Sequence, residues 1–349
     1  MKALARSGLK AARQSVRQAL KPAPPKKRPA LAKTQRATTR PAKPTPSAPP
    51  PQEAGWTTGL ALGPAGARRY ALFRPPGAGP AEPLPLLVML HGCGQDAKGF
   101  AQSTRMNALA ACQAFMVLYP EQDRLANPQG CWNWFDTRTG RAMNEAALIL
   151  RAIDEVCLLH AADRERVAIA GLSAGASMAA LLVARHPDRF KALAMHSGIA
   201  PGTAHSTLSA LGAMQGRRGT RPLVKTLPAA SGLTGTPWPP LLVIHGSADR
   251  VVSARNGQAA AQQWATAAGA RPGPARNVQR GQRYPMTVAD YKDKGRLVVT
   301  RVEIAGLGHA WSGGASKLPF GDSSGPDASR MVWAFVNKQF KSSTSSAEG

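Results

Sequence analysis

The segment Gly171-Leu-Ser173-Ala-Gly175 has the residue types and spacing of a nucleophilic serine on a sharp turn. It follows the apolar run Val167–Ala170 and precedes the apolar stretch Ala176–Arg185, which predict a strand and a helix. A serine hydroxyl is a weak nucleophile, so a base must reach it and backbone N–H groups must face the developing oxyanion. Glycines on both sides permit the tight turn. We therefore predict that Ser173 attacks a carbonyl carbon; the alternative is a structural turn.

A base and an acid are predicted later in the chain. On sheets that carry such a serine, the acid follows the serine and the histidine comes last. Asp249 follows the apolar run Leu241–Ile244, and His309 follows a run that begins at Val302. We expect Asp249 to orient the imidazole of His309, which would accept the serine proton. For Asp249, the alternatives are a solvated turn carboxylate and an ion pair with Arg250.

Two backbone amides are the expected donors to the oxyanion. One is the N–H of Ala174, directly after the nucleophile. The other should come from a turn after an earlier strand, and the amide of Cys93 in His91-Gly-Cys-Gly-Gln95 fits this place. The alternative is that His91 and Gly92 only close the strand. His91 and His245 each precede a glycine at a strand end, and we expect both to hydrogen-bond with the backbone.

Strand and helix patterns alternate from about residue 68 to residue 340 of the 349 residues. This order predicts one α/β domain over residues 56–349, an α/β-hydrolase fold with a doubly wound, mostly parallel sheet. Besides the elements named above, we predict strands near 68–74, 86–90 and 115–119, a helix from Asn144 to about Leu159, a strand from Phe190 and a helix from Asp327 to about Phe340. Residues 201–239 are rich in Gly, Pro, Ser and Thr, and we expect a lid there.

Residues 1–55 differ from the rest in composition. They hold 13 lysines and arginines against one acid, Glu53, and include a proline-rich run from Lys21 to Pro51. This composition predicts a disordered tail, with a weak amphipathic helix over residues 1–20. The net charge of +26 over the whole chain predicts attraction to anionic surfaces such as nucleic acid, phospholipid or a coated granule. The alternative is a solubilising tail without a partner.

Cysteine usage and hydropathy bear on cofactors and location. The four cysteines lack zinc-site spacing, and no metal or cofactor is predicted. No signal-like apolar run follows the basic start and no 18-residue apolar stretch occurs, so we expect a cytoplasmic protein without a transmembrane segment. An extracellular location and an organelle transit peptide are the alternatives.

Cys93 and Cys131 should both lie just beyond adjacent strand ends. We expect both to be free thiols, and the alternative is a disulfide between them.

Several further motifs resemble the polyhydroxybutyrate (PHB) depolymerase esterase family over roughly residues 65–340. They are His91-Gly-Cys-Gly-Gln95, Thr104-Arg-Met-Asn107, Tyr119-Pro120, Cys131-Trp-Asn-Trp134, Gly306-Leu-Gly-His-Ala-Trp-Ser-Gly-Gly314 and Gly325-Pro-Asp-Ala-Ser329. The resemblance implies a cofactor-independent serine esterase in which Ser173, Asp249 and His309 form the triad. It also implies an aromatic lining near the ester, formed by Trp132, Trp134 and Trp311. Ordinary core packing is the alternative for these tryptophans.

The resemblance also bears on the substrate. It implies poly(3-hydroxybutyrate) or its oligomers as the ester. Since no signal-like run is seen, we expect attack on amorphous granules or soluble oligomers inside the cell, with the basic tail as an anchor. Feruloyl and acetylxylan esterases share the triad, so a carbohydrate ester is an alternative. An alternative from another class is a basic, noncatalytic granule- or nucleic-acid-associated protein with a hydrolase fold.

The first prediction concerns the tail. A truncated protein that begins at Gln52 should keep its activity on soluble short esters and lose binding to granules, anionic vesicles or DNA. Because the contact would be electrostatic, binding by the full chain should weaken steeply between roughly 50 and 200 mM salt, as counterion release requires on nucleic acid. Co-sedimentation and DNA titration measure this. Equal, salt-insensitive binding by both proteins would contradict it.

Overall fold

The computed structural model describes residues 55–79, 81–223 and 238–345. Their main feature is one eleven-stranded sheet. Its strands are β1 (Trp56–Gly63), β2 (Gly66–Phe73), β3 (Leu84–Leu90), β4 (Met116–Pro120), β5 (Ala162–Leu172), β6 (Leu193–His196), β7 (Leu241–Gly246), β8 (Arg271–Pro272), β9 (Arg276–Val278), β10 (Met286–Asp293) and β11 (Arg296–Ile304). Two short strands, β12 (Trp311–Ser312) and β13 (Gly321–Asp322), pair separately.

The strand order is β1-β2-β4-β3-β5-β6-β7-β11-β10-β8, and β9 also pairs with β10. The six strands from β4 to β11 in this order run parallel, whereas the pairs at both edges are antiparallel. Parallel strands end at a common edge, so the loops after β3, β5, β7 and β11 come together. These are the loops that carry the predicted site residues.

Helices cover both faces of the sheet. They are α1 (Ala97–Thr104), α2 (Met106–Gln113), α3 (Arg141–Leu159), α4 (Ala174–Arg185), α5 (Thr207–Met214), α6 (Arg255–Ala267) and α7 (Ala328–Ser345), with a 3₁₀ turn at Pro187–Arg189. In α3, buried residues recur at Ala142, Ala146, Ile149 and Ile153, the spacing of an amphipathic helix.

Alternation along β3 separates the two cores. Leu86, Val88 and Leu90 pack on the face covered by α3, α4 and α6. Leu87 and Met89 pack on the opposite face against α1, α2 and α7. A strand buried on both faces reads as a continuous apolar run, which explains the sequence Leu-Pro-Leu-Leu-Val-Met-Leu of β3.

The predicted doubly wound, mostly parallel α/β fold is confirmed. The predicted strands and helices are present with bounds shifted by a few residues, although β5 is longer than its apolar run and starts at Ala162. The antiparallel edge strands β1 and β10 were not predicted. Part of the expected lid, 201–239, is the helix α5, and residues 224–237 lie outside the described residues. The predicted tail and its amphipathic helix also lie outside them and stay predictions.

Candidate active site

Ser173 occupies a strained turn directly after β5. Its φ and ψ are 56° and −120°, and its side chain makes no capping hydrogen bond to α4, which begins at the next residue. A Cβ on Gly175 would lie 2.1 Å from the carbonyl oxygen of Leu90, and one on Gly171 would lie 2.5 Å from the carbonyl carbon of Gly175. Glycine is therefore required at both flanks, and the hydroxyl of Ser173 is free for another partner.

That partner is His309, and the histidine in turn contacts Asp249. The Nε2 atom of His309 lies 3.0 Å from Oγ of Ser173. Its Nδ1 atom lies 2.8 Å from Oδ2 of Asp249. The three residues thus form a continuous hydrogen-bonded chain from hydroxyl to carboxylate, the arrangement that activates a serine for attack on a carbonyl carbon.

Backbone hydrogen bonds between two loops hold Asp249 beside His309. The N–H of Ala248 donates to the carbonyl of Leu307 at 3.1 Å, and that of Ser247 donates to Ile304 at 2.9 Å. The loops pack so closely that a Cβ on Gly246 would lie 2.1 Å from the oxygen of Leu307. The acid and the base are therefore fixed as one unit.

The carboxyl group of Asp249 is held ionised. Its Oδ1 atom accepts from the backbone N–H groups of Val251 and Val252 at 2.9 and 2.8 Å. Burial raises the pKa of this carboxyl, but hydrogen bonds from His245 and His309 outweigh burial and bring the pKa far below its usual range. An ionised carboxylate in this position keeps a proton on Nδ1 of His309 and leaves Nε2 free to accept one.

The turn after β3 packs against the serine turn. A Cβ on Gly175 would also lie 2.5 Å from the carbonyl oxygen of His91, so Cys93, two residues on, belongs to the loop beside Ser173.

The prediction of free thiols at this site is wrong, because Cys93 and Cys131 form a disulfide. The two cysteines follow the neighbouring strands β3 and β4, as expected. The expectation of free thiols came from the assumed reducing cytoplasm and not from their positions. Cys112 and Cys157 are free.

A family model described as esterase PHB depolymerase matches residues 68–277, more than half of the chain. The chain belongs to this family. Poly(3-hydroxyalkanoate) depolymerase C of Paucimonas lemoignei is 33% identical over 236 residues, which cover 64% of this chain and 54% of that protein. The chain thus spans about half the length of that relative.

Two further proteins that are similar to this chain are named for other esters. Feruloyl esterase B of Thermothelomyces thermophilus is 29% identical over 53% of this chain and 66% of its own length. Acetyl xylan esterase from Aspergillus awamori has a similar structure, with a TM-score of 0.59 at 21% identity over 72% of this chain and 94% of its own. This likeness supports the α/β-hydrolase fold, and the named relatives are carboxylic ester hydrolases.

The tryptophans of the family motifs differ in exposure. The rings of Trp132 and Trp311 are completely buried, and Trp134 is 7% exposed. Trp132 donates its indole N–H to the carbonyl of His91 at 3.0 Å, and Trp311 donates to Ser329 at 3.0 Å. The expectation that Trp132 and Trp311 line the ester pocket is therefore corrected to core packing beneath the site, since neither ring offers a surface to a substrate.

Two contacts of the esterase site were missed by sequence reasoning. His245 hydrogen-bonds with the backbone carbonyl of Val252, as predicted, but its Nε2 atom also lies 3.5 Å from Oδ2 of Asp249. The ring of Phe320 packs edge-on against His309, with centroids 6.4 Å apart. His245 and Asp249 are four residues apart in the segment after β7, and Phe320 follows His309 by eleven residues, but neither contact belongs to a sequence pattern that indicates it.

Buried neutral histidines generate a stability prediction. Burial lowers the pKa of His91 to about 4 and that of His196 to about 3, whereas the pKa of an unfolded histidine is about 6.5. Below that pH the unfolded chain binds protons that the folded chain does not. The free energy of unfolding should therefore fall as pH drops from about 6.5 to about 4, by about 1.4 kcal/mol per pH unit for each histidine.

Urea unfolding at pH 7, 6 and 5 measures this loss. Asp249 does not contribute in that window, because a depressed carboxyl pKa loses stability only below about pH 4. Replacing one of the two groups, as in His196→Gln, should reduce the slope. A free energy of unfolding that does not change between pH 6.5 and 5 would contradict the prediction.

Proposed function

We propose that the protein is a serine esterase that uses Ser173, His309 and Asp249 as its catalytic triad. The observation that carries the proposal is the hydrogen-bonded chain from Ser173 through His309 to Asp249, with distances of 3.0 and 2.8 Å. The left-handed backbone of Ser173 supports it further, because strain of about 1–3 kcal/mol persists only where the surroundings enforce it. A noncatalytic protein would have no need of this arrangement.

The reaction has two halves. Oγ of Ser173 attacks the ester carbonyl while Nε2 of His309 takes its proton, and the tetrahedral intermediate expels the alcohol, which receives that proton. Water then attacks the acyl-enzyme by the same route and releases the acid. The amides of Cys93 and Ala174 stabilise the oxyanion in both halves, and Asp249 holds the imidazolium. No metal or cofactor takes part in these steps.

For the substrate, we favour poly(3-hydroxybutyrate) or its oligomers. The family match and the depolymerase of Paucimonas lemoignei support an aliphatic hydroxyacid ester. The second candidate is a feruloyl or acetylxylan ester, which the feruloyl esterase of Thermothelomyces thermophilus supports. In this proposal the basic tail attaches the enzyme to the surface of a polymer granule or to another anionic surface.

The disulfide bears on location. Disulfides form and persist in oxidising compartments and are rare in the reducing cytoplasm. The Cys93–Cys131 bond therefore favours the extracellular alternative over the cytoplasmic location expected from hydropathy. None of the helices in the described residues is long and apolar enough to cross a membrane.

The substrate prediction is tested by assaying the protein on p-nitrophenyl butyrate, amorphous poly(3-hydroxybutyrate) and a methyl ferulate ester in parallel. We expect hydrolysis of the butyrate ester and of the polymer, and weak hydrolysis of the ferulate. Activity should survive dialysis against a chelator. Preference for the ferulate would select the second candidate.

The nucleophile is tested with Ser173→Ala, since without the hydroxyl no acyl-enzyme can form. The loss in kcat should be about a thousandfold or more. Ser177→Ala is the matched control, because it removes a neighbouring hydroxyl that contacts backbone and not His309. A Ser173→Ala protein that keeps a tenth of wild-type turnover would show that another residue is the nucleophile.

The compartment is tested by counting thiols. Protein collected from both the medium and the cells of its own culture, with thiols alkylated at harvest, should be found in the medium with two alkylated cysteines, Cys112 and Cys157, because the other two are bonded. Mass spectrometry before and after reduction gives the count. Four alkylated cysteines would place the protein in a reducing compartment and overturn the extracellular location.

A further inference from the structure

The ring of His91 has a hydrogen-bond partner on each nitrogen. The backbone N–H of Gln122 donates to Nε2 at 3.1 Å, so Nε2 carries no proton. The Nδ1 atom lies 2.8 Å from the carbonyl oxygen of Gly92. A neutral imidazole has one N–H, which must then be on Nδ1 and donate to Gly92. Burial lowers the pKa of His91 to about 4, which keeps the ring neutral at ordinary pH.

The carbonyl of Gly92 belongs to the same peptide group as the N–H of Cys93. A trans peptide is planar, and its N–H points opposite to its C=O. A hydrogen bond that fixes the oxygen of Gly92 therefore fixes the direction of the Cys93 N–H. It also polarises the peptide, and this strengthens the N–H as a donor.

We propose that His91 is a positioning residue that orients the Gly92–Cys93 peptide so that the Cys93 amide faces the oxyanion. This inference rests on the proposed function, in which Cys93 supplies one of the two oxyanion donors. His91 does not touch the substrate. It acts through the peptide it holds, and the backbone of Gln122 selects the tautomer that can hold it.

A buried polar network holds Gln122, whose backbone N–H donates to His91. The carboxyl group of Glu145 accepts from Nε2 of Gln122 at 2.7 Å and from the backbone N–H of Asn133 at 2.9 Å. Gln122 also donates to the carbonyl of Cys131 at 2.9 Å. Glu145 is 3% exposed and Gln122 is 3% exposed, so water does not compete for these bonds. The network fixes the position of the Gln122 N–H, which in turn fixes His91.

Other contacts hold the rest of the turn, and the backbone N–H of Gln95 also donates to the carbonyl oxygen of Gly92, at the longer distance of 3.3 Å. Trp132 donates to the carbonyl of His91 at 3.0 Å, on the preceding peptide. Oε1 of Gln95 accepts from the N–H of Gly92 at 3.0 Å, on that same preceding peptide. The disulfide ties the side chain of Cys93 to Cys131. Among the described residues, the hydrogen bond that a side chain makes to the Gly92–Cys93 peptide comes from Nδ1 of His91.

Two isosteric variants separate the bonds of His91. In His91→Asn the amide occupies the place of Nδ1 and can still donate to Gly92, but it cannot reach Gln122. In His91→Gln the amide occupies the place of Nε2, so the bond to Gly92 is lost. We expect His91→Asn to keep kcat within a few-fold of wild type. His91→Gln should lose about tenfold or more, up to the 10²–10³ that follows removal of an oxyanion donor.

The lost activity must have the signature of transition-state stabilisation. In His91→Gln, kcat should fall while KM for p-nitrophenyl butyrate stays nearly constant. The inhibition constant of a butyryl trifluoromethyl ketone, whose adduct with serine carries an oxyanion, should rise in parallel with the loss in kcat/KM. Trp264→Phe is a structural control: it removes a buried indole hydrogen bond to Pro239, and should lower Tm without changing kcat.

Equal kcat losses in the two variants, or a loss confined to KM, would overturn the proposal. A measurement on the unsubstituted protein guards against variants that do not fold. The ¹⁵N shifts of the His91 ring should report the Nδ1–H tautomer between pH 5 and 9, and an Nε2–H tautomer would overturn the proposal. The ring measurement does not depend on catalytic activity. A wild-type protein that hydrolyses no ester would therefore contradict the proposed function, whereas the tautomer of His91 would be tested independently.

Discussion

The left-handed backbone of Ser173 is the constraint on which the rest of the site depends. The chain leaves β5 and enters α4 within one residue, which requires a positive φ. Backbone hydrogen bonds enforce it, because the N–H of Ser173 donates to His196 at 2.9 Å and the N–H of Ser177 donates back to Ser173 at 3.0 Å. The same turn brings Gly175 against the backbone of His91. One strained residue thus determines where both the nucleophile and the oxyanion loop stand.

The parallel sheet brings the remaining groups to that residue. The serine, acid and histidine loops follow β5, β7 and β11, and the acid and histidine strands are direct neighbours. Their loops are hydrogen-bonded to one another before either side chain is considered. Backbone contacts between the two loops therefore set how close the side chains of Asp249 and His309 can come.

The sequence predicted what is encoded locally. An apolar strand, a glycine-flanked serine and an apolar helix are contiguous, so the turn at Ser173 and its two elements could be read directly. The sequence placed Cys93 and Cys131 at adjacent strand ends, but whether two neighbouring thiols are oxidised depends on the compartment. The contact of His245 with Asp249 depends on how the turn after β7 folds back on the ring. The burial of Trp132 and Trp311 could not be predicted from the sequence either, because an indole side chain is suited both to a core and to a binding surface.

The loop between Gln122 and Cys131 is closed at its base. Gln122 donates to the carbonyl of Cys131, and Cys131 is bonded to Cys93, so both ends are anchored independently of the residues between them. Leu125, within this loop, is 93% exposed. Lengthening a loop whose ends are already joined costs little entropy. Evolution can therefore change the residues around Leu125, and with them the surface at the carboxyl edge of the sheet, while Gln129 keeps its bond from the N–H of Gly94 in the turn after β3, at 2.9 Å.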